Sequence, residues 1–237
     1  MNAQTRKFLL QGPAGNIEVL EDSPALADGV QPGGVAVIAH PHPLFAGTMD
    51  NKVVQTLARA FVQCGWRAIR FNFRGVGASQ GTYDEGRGEL QDLLTVIAQS
   101  TAALAQDMGL AQASPQAVPL ALAGFSFGSF VVSHAVAALG DAAAPQQLVL
   151  VGTAATRFAV ANIDPALHAR TLVLHGEQDD TVPLADVMDW ARPQSLPVTV
   201  VPGGSHFFHG QLPLLRNLVV RHLQANPLVP STSPSIS

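Results

Sequence analysis

A serine hydroxyl becomes an acyl-cleaving nucleophile when an imidazole can take its proton and a carboxylate holds that imidazole in the right tautomer. Two serines of this chain stand in the pattern G-x-S-x-G: Ser79 in "GASQG" and Ser126 in "GFSFG". One active site uses one nucleophile, so the pattern alone does not choose between them. The flanking residues do. "PLALAGF" before Ser126 reads as a strand, and "FGSFVVSHAVAAL" after it reads as a helix. A nucleophile elbow needs this order of strand, sharp turn and helix, with small residues where the two backbones come closest, here Gly124 and Gly128. Ser79 is followed by the polar, glycine-rich "QGTYDEGRG", which reads as a surface loop.

The base and the acid are then sought downstream, in the order serine, acid, histidine. The strand "TLVLHG" is followed by "EQDDTVP", which supplies Glu177, Asp179 and Asp180. The strand "PVTVVPG" is followed by "GSHFFHG", which supplies His206 and His209. His206 lies nearer the strand end and is favoured over His209. Asp179 is favoured over Asp180, with Glu177 third. His134 and His222 fall within helical patterns, and His175 at a strand end reads as support for the acid loop.

A tetrahedral intermediate also needs two N–H groups aimed at its oxyanion. Phe127, at the helix start, supplies one. The second is expected from "HPHPLFAGT", the loop after the strand "VAVIA". Pro41 and Pro43 carry no N–H, so Leu44 is the first free donor beyond the rigid part, and His42 is the other candidate. His40 and His42 also suggest a metal, but no cluster of further ligands completes a site. Neither a metal nor a cofactor is expected.

These residues must be held by a scaffold, and the pattern around them supplies one. Short β-branched runs such as "VAVIA" suit strands buried on both faces. They alternate with helical stretches, including Arg87 to Gln106 and the final "QLPLLRNLVVRHLQ". Two strands around "QGPAG" precede them. Thr48 or Asp50 is expected to cap the helix through "KVVQTLARAFVQCG". The whole predicts an α/β fold with a mostly parallel central sheet flanked by helices, forming one domain over residues 1–225. Residues 226–237, rich in Pro and Ser, read as a disordered tail. The connection from Thr153 to Arg170 is too short for a large lid domain, which predicts an open, shallow pocket.

Composition narrows the partners. Of 237 residues, 47% are apolar and 13% charged, and the formal net charge is -4. Without a basic stripe, nucleic acid is not the expected partner. No stretch is long and apolar enough to span a bilayer, and the first residues lack the apolar core of a signal peptide. The single cysteine, Cys64, fits a reducing compartment. The expectation is a cytoplasmic protein acting on a small-molecule ester.

Five separated segments, "HPHPLFAGTMDNKVV", "RFNFRGVGAS", "GFSFGS", "HGEQDDTVP" and "GGSHFFHG", resemble the α/β-hydrolase superfamily. Within it, they resemble small bacterial hydrolases related to dienelactone hydrolases. The resemblance spans about residues 6 to 225. It implies an α/β-hydrolase fold and a catalytic triad of Ser126, Asp179 and His206, the acid following from G-x-x-D-x-x-V-P between Gly176 and Pro183. It also implies that "RGVGAS" is the loop after the fourth strand, which removes Ser79 as nucleophile. Dienelactone hydrolases proper use a cysteine where this chain has Ser126, so a carboxylesterase reaction is expected rather than their lactone opening. A thioesterase, an aminopeptidase-like acyl hydrolase and a non-catalytic binding scaffold are the competing expectations.

Overall fold

A computed structural model describes residues 5–27, 30–110 and 117–227. Among them, eight strands form one sheet in the order β1-β2-β4-β3-β5-β6-β7-β8. The strands are β1 (Thr5–Gly12), β2 (Gly15–Asp22), β3 (Val35–Ala39), β4 (Arg67–Phe71), β5 (Leu120–Phe125), β6 (Gln147–Val151), β7 (Thr171–Gly176) and β8 (Val198–Val201). β1 and β2 form an antiparallel hairpin, β2 runs antiparallel to β4, and the remaining pairs are all parallel.

Successive residues of a strand face opposite sides, and both sides are apolar here. Val35, Val37 and Ala39 of β3 join one core with Leu93, Val96, Val131 and Val187. Those residues come from α2 (Arg87–Asp107), α3 (Phe127–Leu139) and α4 (Leu184–Ala191). Ala36 and Ile38 join the opposite core with Val53, Leu57, Phe61, Leu215 and Val219. These lie on α1 (Lys52–Gln63) and α5 (Leu212–Ala225). Burial on both faces explains why the central strands read as unbroken apolar runs rather than as alternating ones.

The cap of α1 differs from expectation. Asn51, not Thr48 or Asp50, accepts from the Val53 N–H at 2.9 Å. Thr48 Oγ1 is instead taken by the Asp50 N–H, and the Asp50 carboxylate faces Arg70 at 3.3 Å. From residue 228 onward, the tail expected at the C-terminus lies outside the described residues. Among the described residues, no helix is long and apolar enough to cross a membrane.

Candidate active site

In an open parallel sheet, the strands deliver their following loops to one edge, where ligands bind. β5 delivers Ser126, β7 delivers Asp179 and β8 delivers His206. Ser126 sits between strand and helix at φ 56° and ψ -118°, a conformation costly for a residue with a Cβ. Two groups hold it there. Its N–H donates to Val151 O at 2.8 Å. Ser129, one turn on, donates its hydroxyl to Gly124 O at 2.7 Å and accepts from the Val151 N–H at 3.2 Å. The two flanking glycines are required by contact. A Cβ on Gly124 would lie 2.5 Å from the backbone of Gly128, and one on Gly128 would collide with Ala39 O.

The polar side chains form a line. Ser126 Oγ lies 3.1 Å from His206 Nε2, and His206 Nδ1 lies 2.7 Å from Asp179 Oδ2. With its Nδ1 proton donated to a carboxylate, the imidazole presents Nε2 as an acceptor for the serine proton. The other oxygen of Asp179 accepts from the N–H groups of Thr181 at 3.0 Å and Val182 at 2.8 Å. Burial alone would raise the Asp179 pKa. The hydrogen bonds from His206 and Val182, with the neighbouring imidazoles, outweigh it and hold the carboxyl below its usual range. His175 adds a third contact at 3.5 Å to Asp179 Oδ2 while its Nε2–H donates to Val182 O at 2.8 Å. The His206 ring lies against Phe125 and Phe207. Gly152, at φ 53°, leaves room for it: a Cβ there would stand 3.2 Å from the ring.

The alternatives considered from the sequence lie elsewhere. Asp180, Glu177 and His209 are exposed. Glu177 accepts from the Gly203 N–H, and Asp180 faces Thr181 Oγ1 at 3.3 Å. His134 and His222 contact the carbonyls of Ala159 and Arg170. Ser79 departs from the surface-loop reading, being buried. Its hydroxyl donates to Asn72 O at 2.6 Å and accepts from the Glu18 N–H at 2.9 Å, fastening the loop after β4 to β2.

The oxyanion donors need one correction. Phe127, as the first residue of α3, has an N–H with no acceptor inside the helix. Leu44, the expected second donor, is not free. Pro43 opens a single turn of 3-10 helix, and the Leu44 N–H is capped by His42 Nδ1 at 3.2 Å. The Leu44 side chain points to solvent at 67% exposure. The His42 N–H, on the same loop, donates to no described group. His40 stabilises this loop from within. Fully buried, it donates from Nδ1 to Pro41 O at 2.6 Å and accepts at Nε2 from the Phe73 N–H at 3.0 Å. Burial pushes its pKa down to about 4. Among the described residues, no group of three or more His, Cys, Asp or Glu is arranged to hold a metal ion.

A cavity of about 50 Å³ opens at Ser126, lined by His42, Phe45, Phe127, Ala154, Arg157 and Phe158 among others. His42 lies with its ring near those of Phe45, Tyr83, Phe127 and Phe158. Phe127 opens α3, but Phe45, Tyr83, Arg157 and Phe158 in this aromatic wall lie outside the α-helices and strands and carry no periodic signal by which the sequence would reveal them. Larger depressions exist, including one of about 280 Å³ bounded by Asp22, Asp50, Arg59 and Arg70. That one contains neither Ser126 nor His206.

Known proteins share this fold. Residues 47–159 match the family described as serine aminopeptidase, S33. An uncharacterised protein of Rickettsia prowazekii is 37% identical over 131 residues, which is 55% of this chain and 49% of that protein. The chain thus spans about half the length of this curated relative. A solved α/β serine hydrolase without a lid, from Xanthomonas campestris, is 34% identical with a TM-score of 0.80, covering 98% of this chain and 99% of its own. A solved α/β serine hydrolase homologue from Coxiella burnetii is 38% identical with a TM-score of 0.76, covering 92% and 97%. Sharing a third or more of its residues with these two over nearly their full lengths, the chain belongs to the α/β serine hydrolases of the α/β-hydrolase superfamily.

Proposed function

We propose that this hydrolase cleaves small carboxylic esters through an acyl-enzyme intermediate, with Ser126, His206 and Asp179 as its triad. The observation that carries the reading is the unbroken line from Ser126 Oγ through His206 to Asp179, at 3.1 Å and 2.7 Å. Ser126 Oγ attacks the acyl carbon and gives its proton to His206 Nε2. The carbonyl oxygen becomes an oxyanion, held by the N–H groups of Phe127 and His42. As it collapses, the ester C–O bond breaks and the leaving alcohol takes the proton from His206. Water then gives a proton to His206 and attacks the acyl-enzyme. The acid leaves, and Ser126 regains its proton. Asp179 fixes the imidazole tautomer and stabilises its charged form.

The described family match invites an aminopeptidase reading. A substrate amine would need an acceptor beside Ser126, and the lining of the cavity holds no carboxylate. An ester, with no ammonium group to place, suits it better. The small cavity, against roughly 300–1,000 Å³ for typical ligand sites, favours short acyl groups. A fluorophosphonate probe should label Ser126, and ethyl or p-nitrophenyl esters of short acids should be turned over. Folded protein that neither takes the label at Ser126 nor cleaves any short ester would end this reading.

A further inference from the structure

The cavity at Ser126 mixes aromatic and aliphatic residues with the hydroxyls of Ser126, Thr156 and Thr181, and carries one charge. Arg157, on the loop between β6 and β7, is the only charged residue of its lining, and no Asp or Glu contributes. Arg157 is exposed and, among the described residues, makes no ion pair and no side-chain hydrogen bond, so its guanidinium is free to meet an anion. A second donor faces the same space. His42 Nδ1 accepts from the Leu44 N–H, so a neutral ring carries its proton on Nε2, and that N–H has no described partner. Burial first, then the charge of Arg157, lowers the His42 pKa and keeps the ring neutral. The carboxylate of Asp179 is committed to His206, Thr181 and Val182. The cavity therefore offers donors and a positive charge with no carboxylate in its lining to neutralise it.

Its position tells which part of a substrate meets this charge. The lining includes Ser126, Phe127 and His42, which face the acyl carbon and its oxygen, but not His206, which must reach the leaving alcohol. Resting on the esterase reading, we propose that the preferred substrates are esters of short dicarboxylic acids, whose free carboxylate is held by Arg157 while the esterified end meets Ser126. The aromatic wall takes the methylenes between the two ends. A guanidinium can meet a carboxylate with two parallel hydrogen bonds, which selects for this group over a neutral end of similar size.

Three alkyl esters test this, assayed by proton release in a pH-stat. Monoethyl glutarate carries its charge on the acyl side, ethyl valerate has the same acyl length without charge, and 3-carboxypropyl butyrate carries the charge on the alcohol side. At low ionic strength kcat/KM for monoethyl glutarate should exceed that for ethyl valerate by about tenfold, mainly through KM. The preference should shrink in 0.5 M salt, roughly the regime where screening acts within a few ångströms. The ratio between the two esters should collapse in Arg157→Gln, recover in part in Arg157→Lys, and fall below one in Arg157→Glu. If wild type cleaves ethyl valerate as well as monoethyl glutarate, or if Arg157→Gln keeps the wild-type ratio, the inference is wrong while the esterase reading stands. A preference for 3-carboxypropyl butyrate would put the charge on the wrong side and overturn it too. Failure to cleave any of the three would remove the esterase reading and this inference with it.

Discussion

The two G-x-S-x-G segments share a pattern, and both serines are buried, yet they are opposites in chemistry. Ser79 has a hydroxyl saturated by backbone: it donates to Asn72 O and accepts from the Glu18 N–H. Ser126 has a hydroxyl that faces an imidazole. Ser126 itself carries a strained φ of 56°, whereas the turn around Ser79 places its positive φ on Gly77 and Gly81. A hydroxyl with both its roles filled by backbone fastens two loops. One whose neighbour is a base can lose its proton. The difference lies in what the distant chain brings to each serine, not in the five residues themselves.

The largest expected effect is on Ser126. On the proposed function, Ser126→Ala should lower kcat by about 10⁵-fold or more, because no other group can form the acyl-enzyme. Its stability should not fall. Turnover within tenfold of wild type would break the contrast between the serines at once. Next comes the acid. Asp179→Asn should lower kcat by about 10³- to 10⁴-fold, since an amide cannot hold the imidazole in the same tautomer. Asp180→Asn, at an exposed neighbour, should stay within about threefold. Kinetics of the two variants side by side decide this, and a crippled Asp180→Asn beside a near-normal Asp179→Asn would reverse the assignment.

A smaller effect concerns His40, which ties the loop after β3 to the loop after β4 that carries Ser79, donating to Pro41 O and accepting from the Phe73 N–H. Its pKa falls from an ordinary 6.5 to about 4 on folding. Below pH 6.5 the unfolded chain binds this proton and the folded chain does not, so stability is lost as pH falls from about 6.5 towards 4. The loss should reach roughly 3 kcal/mol across that window. Burial lowers His42, His175 and His222 in the same direction. Urea unfolding at pH 7 and pH 4.5 should show the decline, and His40→Asn should flatten it. An equal slope in wild type and variant would exclude His40 as its source. The smallest effect is on Ser79. Ser79→Ala should cost about 1–3 kcal/mol of stability by leaving the buried Glu18 N–H and Asn72 O short of a partner. Its kcat at 25 °C should stay close to wild type. A variant as stable as wild type would mean that the fastening contributes nothing.

Much of this was legible in the sequence because the physics is local. Apolar β-branched runs mark strands buried on both faces, and a strand end followed by Ser, Asp or His places that side chain at the ligand-binding edge. What was not legible depends on partners far along the chain. Glu18 lies 61 residues from Ser79, so the burial of Ser79 had no local signal. The Leu44 N–H reads as free until the 3-10 turn folds it back onto His42. Ser129, Arg157, Tyr83 and Phe158 matter through where loops and helix turns set them, and their spacing follows no period. Asn51 replaced two equally plausible capping residues because both had found other partners.

His206 follows β8, the four-residue strand at the end of the sheet, which pairs with β7 alone. Short strands at an open edge resist pairing with foreign chains, but they also have the fewest bonds to their own sheet. Edge elements open at lower free energy than central ones. Ser126 and Asp179 follow strands with neighbours on both sides. The serine's base is thus borne by the least anchored part of an otherwise rigid sheet. Under mild denaturant or heat, the imidazole can part from the hydroxyl while the central strands remain paired, so that reactivity fades before the global fold does.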